Sequence, residues 1–330
     1  MLEDKEKLWL YDMVEPGQAG EPTVVQLTAE NITEYARVTQ NPDTRYQLPP
    51  GGETDPVGLV AMPTMVLSYA PLLREDIAQA NGFVAQEASP THRRQTPFAK
   101  CEIRWHRVAQ EFDIITATRR VLEKYERRGS KFVTFRVEAT NQRGESVADY
   151  DYTCIFDYVQ GRKEVPQEQG SANPASRPEE SPHPTGRLLT YDTAEEGAQL
   201  ATLALSESQD IINAKDAFRL AGEHNPVNIH TDEEFARQNI FSGTVSSGPA
   251  AMAYVDQMLA RSIPLRSFYL AGRLLLRAIE PFRAGDTVTW QGEITGKRVE
   301  GDKKIVEFRV RGTNQREDLV NLSDAAFVLP

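Results

Sequence analysis

Little in this sequence could hold a fold together from outside its own core. Its 330 residues include two cysteines, Cys101 and Cys154, each inside an apolar, strand-like segment. That excludes a disulfide framework, a CxxC pair and any zinc-ligand spacing. Two free thiols of this kind suit a reducing compartment. Long apolar runs are also missing, since no stretch approaches the ~20 residues of a membrane span. The acidic opening MLEDKE offers no basic region of a signal peptide. A cytoplasmic location is the expectation. Basic residues are outnumbered, with 37 Lys and Arg against 48 Asp and Glu for a net charge of -11. A nucleic-acid backbone or an anionic membrane is therefore not the expected partner.

What the sequence does contain is a copy of itself. Residues 131–143 (KFVTFRVEATNQR) recur as residues 304–316 (KIVEFRVRGTNQR), so that Arg143 and Arg316 stand 173 residues apart with no gap between the segments. The same offset carries Asp113 onto Asp286, each opening an alternating strand. Upstream, Asn41-Pro42 answers Asn225-Pro226. Repetition at this level is duplication. Between the copies, residues 160–187 are rich in Pro, Glu, Ser and Gly and nearly free of large apolar side chains, so they read as linker. The expected division is an N-terminal domain over 1–159, the linker 160–187 and a C-terminal domain over 188–330.

Each copy parses alike. A short strand (23–27; 200–204) precedes an amphipathic helix, which in the second copy starts at a capping box of Ser206 and Gln209. A helix apolar nearly all round follows, Thr64–Leu73 in one copy and Pro249–Leu259 in the other. Long alternating strands finish the unit, at 273–279, 287–299, 304–313 and 319–329 in the second copy. One central helix wrapped by a long antiparallel sheet is the hot-dog architecture. The predicted fold is therefore α+β, a tandem or double hot-dog.

Chemistry concentrates in the second copy. Residues 222–236 (GEHNPVNIHTDEEFA) put two imidazoles, carboxylates and two carboxamides on one loop before a helix. A histidine beside a carboxylate is the minimal acid/base kit. His230, held next to a helix cap at Thr231 or Asp232, is the candidate, whereas His224 reads as loop solvation. Gly248 opens the buried helix, where free N–H groups can stabilise an oxyanion. The first copy has no histidine at its Asn-Pro loop, so its site is expected to be non-catalytic. The room so freed would form a groove, with Met62, Met65 and Tyr69 as candidate lining; core packing is the plainer role for each.

From Phe218 to Met258 the chain resembles the MaoC-like dehydratases, the hydratase 2 and R-specific enoyl-CoA hydratase group. Their signature runs roughly S-G-D-x-N-P-x-H-x-D, followed by H-G ahead of the central helix. Residues 282–288 (FRAGDTV) are similar to that family's strand-opening Gly-Asp. The resemblance puts Glu223 at the signature Asp, His230 at the signature His across a two-residue insertion, and Ser247 at the His of H-G, with Gly248 retained. Counting forward from Asn-Pro instead places Asn228 there.

The resemblance implies reversible hydration of a 2-enoyl thioester, or dehydration of a 3-hydroxyacyl thioester, carried on coenzyme A or acyl carrier protein. Glu223, His230 and the Gly248 N–H would be the catalytic groups, with Asn225, Asn228 and Ser247 binding substrate. No metal or other cofactor is called for, and a homodimer is compatible with the architecture. A thioesterase on the same fold and a non-catalytic acyl-binding or partner subunit are the competing readings. The linker reading has its own test: limited proteolysis should cut first within 160–187 and release two resistant fragments. Early cutting inside either domain would move the boundary.

Overall fold

A computed structural model describes residues 6–49, 58–159, 163, 165 and 188–330. In the first half, β1 (Thr23–Gln26) leads to α1 (Ala29–Val38), then the short α2 (Val66–Tyr69) and α3 (Arg74–Ala80). Four strands follow: β2 (Phe98–Trp105), β3 (Ile114–Arg127), β4 (Ser130–Thr140) and β5 (Ser146–Asp157). The second half repeats the order with β6 (Leu203–Ser206), α4 (Gln209–Ala217), α5 (Glu233–Gln238), α6 (Gly248–Ala260) and α7 (Leu265–Phe268). It closes with β7 (Arg273–Ala278), β8 (Thr287–Glu300), β9 (Lys303–Asn314) and β10 (Leu319–Val328). The linker expected at 160–187 falls outside the described residues apart from Lys163 and Val165.

All ten strands form one sheet in the order β1-β3-β4-β5-β2-β7-β10-β9-β8-β6. That order is a palindrome about the β2–β7 pair. Its two halves match strand for strand, which makes the fold a double hot-dog. Phe135 on β4 and Phe308 on β9 occupy equivalent places. Even the irregularities repeat, with a bulge at Val121/Glu123 in one half and at Ile294/Gly296 in the other.

The repeated Thr-Asn-Gln-Arg owes its identity to the turn it builds. The Asn141 Oδ1 accepts the N–H of Arg143 and Glu145 at 3.0 and 3.1 Å. Asn314 does the same for Arg316 and Asp318 at 2.9 and 3.0 Å. The neighbouring Gln142 and Gln315 tie the turn to the start of β3 and β8 through Ile114 N–H and Thr287 N–H. A side chain that replaces missing ladder partners is hard to substitute.

Along each long strand, burial alternates, with one face on the core and the other carrying charge. On the charged face the signs interleave across neighbours: Arg136 with Asp151, Arg104 with Asp151 and Asp149, Arg273 with Glu102. The inner face wraps α6, in which every residue from Ala250 to Leu259 is buried.

Three local expectations need correction. Helix α4 is capped by Ser208, whose side chain accepts the Ile211 N–H at 3.2 Å; Ser206 instead ends β6 against Thr287. That strand starts at Leu203 and not at Leu200. The first half's central helix does not run from Thr64 to Leu73. It is a 3-10 turn over Pro63–Met65 continued by α2, and it stops at Ala70, which leaves helical geometry ahead of Pro71. The ring of a proline clashes with a helical predecessor, so the break follows from the sequence.

The two central helices meet through polar groups. Asp256 of α6, 1% exposed, accepts both the N–H (3.0 Å) and the hydroxyl (2.7 Å) of Thr64. Gln257 donates to the Thr39 carbonyl at 2.7 Å. Burial pushes Asp256 up to about 6, against the opposing pull of the two Thr64 donors and the more distant Arg45. A pKa raised on folding means the neutral form is preferred in the folded state. Its stabilising share is complete below the ordinary carboxylate value and disappears as pH rises through about 6. Asp256→Asn keeps an acceptor for Thr64 without the buried charge. It should raise stability by about 1–3 kcal/mol near about pH 8, and the gain should vanish toward about pH 4. Thermal melts across that range check this, and a pH-independent difference would contradict it.

Candidate functional site

The loop between α4 and α5 is shaped by its own side chains. Gly222 takes a positive φ of +79°, and a side chain there would run into Leu73 of the first half. Asn225 Oδ1 accepts Val227 N–H at 3.0 Å. Asn228 Oδ1 accepts the N–H groups of His230 (2.7 Å) and Thr231 (3.2 Å). Asp232 caps α5 through Phe235 N–H at 2.9 Å. These asparagine turns leave His230 no freedom at its backbone.

The imidazole of His230 is fixed as well. Its Nδ1 lies 2.8 Å from the Val245 carbonyl, and a carbonyl only accepts, so Nδ1 carries the proton. Nε2 then presents a lone pair, and no partner meets it among the described residues. Burial lowers the His230 pKa, while the Val245 bond and the charge of Asp216 work the other way. The ring is thus a neutral base near pH 7.

Glu223 does not stand beside it. The Glu223 side chain is exposed at a cavity rim. The buried carboxylate of this site is Asp216, in the last turn of α4, which sequence reasoning missed. Asp216 Oδ2 is 2.7 Å from His224 Nε2 and accepts from Asn228 Nδ2 at 3.0 Å, while Oδ1 meets Arg219 at 3.2 Å. Burial would raise its pKa, but the His224 bond, the His230 and Arg219 charges and the Asn228 amide together hold it below the usual range. Asn228 links Asp216 to the backbone of His230, so Asp216 acts on the ring through charge and through that amide. A carboxylate in the final turn of a helix opposes the dipole. That was the signal the sequence offered for Asp216.

Ser247 caps α6, accepting the Ala250 N–H at 3.3 Å. Pro249 has no N–H to offer. The Gly248 N–H has no acceptor among the described residues, at the positive end of a 13-residue helix. A side chain at 248 would overlap the ring of Phe98 on β2, so only glycine fits beneath the first half's strand.

Two cavities meet here. One of about 590 Å³ is lined by His230, Ser247, Gly248, Phe98 and residues of the β2–β7 junction. The other, about 730 Å³, is lined by Asp216, Asn225, Asn228, His230 and Ser247, with Tyr35, Leu67, Leu72 and Leu73 from the first half. His230, Ser247, Pro249, Arg74, Gln95 and Tyr152 belong to both walls. The groove expected at Met62 and Tyr69 lies elsewhere. Both are buried in the core, Met62 receiving Thr39 Oγ1–H and Asn41 Nδ2–H on its sulfur. Neither lines either cavity, and Met65 is equally enclosed. The break after Tyr69 turns Leu67 and Leu72 to the wall in their place.

Beside the site lies a buried polar knot. Lys215 Nζ contacts Glu207 (2.5 Å) and Tyr254 OH (2.7 Å), and Ser246 Oγ donates to Glu207 at 2.5 Å. Gln40 of the first half, in the left-handed region at φ 58°, reaches the Tyr254 oxygen at 3.0 Å. Burial drives the Lys215 pKa down, and Glu207 opposes this. Among the described residues no group of three or more His, Cys, Asp or Glu is placed to hold a metal ion.

Residues 202–315 match the MaoC like domain family. A solved MaoC-like dehydratase is 15% identical with a TM-score of 0.68, covering 95% of this chain and 99% of its own. A MaoC domain protein dehydratase from Chloroflexus aurantiacus J-10-fl is 14% identical, covering 100% of this chain and 99% of its own at a TM-score of 0.61. A conserved protein from Mycobacterium tuberculosis described as having a double hotdogfold is 14% identical, with coverages of 97% and 98% and a TM-score of 0.58. Among curated protein sequences there is no match.

The electrostatic assignment is open to direct titration. By NMR, Asp216→Asn should lower the His230 pKa further, because the neighbouring negative charge is gone, whereas Glu223→Gln should leave it in place. The opposite pattern would return the partner role to Glu223.

Proposed function

Since residues 202–315 make the second half of this chain a MaoC-like domain within a double hot-dog, we propose that it adds water reversibly across a 2-enoyl thioester, as a hydro-lyase. One observation carries the reading: an unpaired imidazole nitrogen and an unpaired helix N–H line the same cavity, at its junction with a second one. Neither group has another partner among the described residues, and the two are the base and the oxyanion donor that the reaction needs.

His230 Nε2 takes a proton from water as the water oxygen bonds to the β-carbon. The π electrons move toward the carbonyl, and the enolate oxygen accepts the Gly248 N–H. Collapse of the enolate draws the proton from Nε2 to the α-carbon, which balances the addition. A preorganised donor of this kind contributes on the order of 3 kcal/mol. Asp216 touches none of these atoms in this account. It is a positioning residue that stabilises the transient imidazolium. The carbonyl-bound tautomer keeps the working nitrogen aimed into the cavity.

The apolar stretch of the larger cavity, at Leu67, Leu72 and Leu73, suits the acyl chain. On this reading the first half, residues 1–159, shapes the acyl pocket and contributes no acid or base. Crotonyl-CoA hydration, followed by loss of enoyl absorbance, is the direct test. His230→Ala should reduce kcat by about 10²–10⁴ with folding intact. Asp216→Asn should reduce it less, and Glu223→Gln should stay within about threefold. Release of free thiol in step with the loss of absorbance would make the protein a thioesterase, and a fully active His230→Ala would remove the site assignment.

A further inference from the structure

The start of α6 runs out of donors after one. Pro249 has no N–H. The Ala250 N–H is taken by Ser247, whose carbonyl (3.1 Å) and Oγ (3.3 Å) both accept it, and the Ala251 N–H goes to the same carbonyl at 3.4 Å. Of these groups the Gly248 N–H alone is left for a substrate. An enolate oxygen has more than one lone pair to satisfy, and in a closed site a single donor leaves it short. A second donor has to come from another element of the same wall.

Tyr152 on β5 lines the smaller cavity together with Gly248, and it lines the larger one together with His230. Two residues back on the same face of the strand, Tyr150 donates its hydroxyl to the Ala70 carbonyl at 2.6 Å. The Tyr152 hydroxyl meets no acceptor among the described residues. Its ring is held in place: the register sets it between Cys101 on β2 and Phe135 on β4. Phe98, whose ring closes over Gly248, stands edge-on to it with centroids 5.0 Å apart and planes at 61°. Other side chains shared by the two walls suit the task less well. Arg74 spends its guanidinium on Glu87 and Cys154, and Ser247 Oγ is turned back over α6 by its cap. A phenol proton is more acidic than that of a serine hydroxyl or of the Gln95 amide, so its bond strengthens most as negative charge develops. Burial pushes the Tyr152 pKa above its ordinary value, with Cys154 adding to this and Arg74 opposing it, so the hydroxyl keeps its proton.

We propose that the Tyr152 hydroxyl donates to the thioester oxygen beside the Gly248 N–H, so that the enolate is held by one group from each half. The phenol gives up no proton, and the transfers at His230 are unchanged. Its part in stabilising an enolate rests on the hydration reading above; a hydrogen bond to a thioester carbonyl is observable without turnover.

Infrared spectra of the full chain with butyryl-CoA, labelled with carbon-13 at the carbonyl and unable to hydrate, read the hydrogen bonds to that oxygen directly. Wild type should move the labelled band to lower wavenumber. Tyr152→Phe, which keeps the ring against Phe98, should lose much of that shift. Its kcat for crotonyl-CoA should fall by about 10²-fold with KM within about threefold. Circular dichroism reports whether the variant folds, and replacing Tyr152 with 3-fluorotyrosine, nearly the same shape with a more acidic phenol, should deepen the shift. No shift in wild type, an undiminished one in folded Tyr152→Phe, or one lost instead with Ser247→Ala or Gln95→Leu would overturn the assignment. A shift weakened by Tyr152→Phe in a protein that never hydrates crotonyl-CoA would leave the donor standing and remove the hydratase reading. Normal hydration with an undiminished shift would do the reverse.

Discussion

Five residue pairs, from Lys100 with Arg277 to Arg104 with Arg273, join β2 to β7 and make one sheet of two half-sheets. Without that seam each half would expose a long strand edge, with a row of unpaired backbone groups ready to recruit another chain. With it, the outer edges are β1 and β6, only four residues each. The seam also creates the site. The Phe98 ring leaves room only for glycine at 248, and His230 shares its cavity walls with Arg74, Gln95 and Tyr152 of the first half. An isolated second half would keep the reactive groups and lose one wall of both cavities.

The two halves differ most where they meet the cavities. The second half keeps an unbroken 13-residue α6, whose N-terminus supplies the free N–H. The first half has given up the matching helix at Ala70–Pro71, and the space so opened is part of the larger cavity through Leu67, Leu72 and Leu73. Its Asn-Pro loop has changed use as well. Asn41 now bonds Met62 and the backbone N–H of Asp43, while Gln40 turns into the second half's polar knot. The first half's counterpart of the 222–236 loop thus braces the second half.

How much of this was legible varied with the range of the forces involved. The repeat, the strands and the buried helix could be read because they rest on periodicity and on turns whose side chains do local work, as Asn141 and Asn314 do. The helix break after Tyr69 was also local, and Pro71 announced it; the apolar run from Thr64 to Leu73 drowned that signal. Asp216 was different. Its role depends on His224, Asn228 and Arg219 closing around it from a folded loop, and no spacing rule encodes that closure. Glu223 lay nearer to the family pattern in sequence, but the positive φ at Gly222 turns the chain there, and Glu223 ends at the rim. Met62 and Tyr69 had the composition of a groove and the burial of a core, and only packing separates the two.

The polar knot of Glu207, Lys215, Ser246 and Tyr254 needs a reason to exist, because a buried ion pair is poor value as a source of stability. Two charges removed from water recover their desolvation cost only with good geometry and every proton used, and here the contacts at 2.5 to 3.0 Å come close to that. Its position supplies the reason. Lys215 immediately precedes Asp216, and Ser246 lies between Val245, whose carbonyl orients His230, and Ser247, which caps α6. The knot clamps β6, α4 and the start of α6 together from behind. Three small displacements would otherwise be free: the Asp216 charge, the Val245 carbonyl and the Gly248 N–H. About 1 Å of slack between such groups can cost roughly two orders of magnitude in rate. The buried charge is thus better understood as the cost of fixing three separate elements in one geometry than as a contribution to holding the fold.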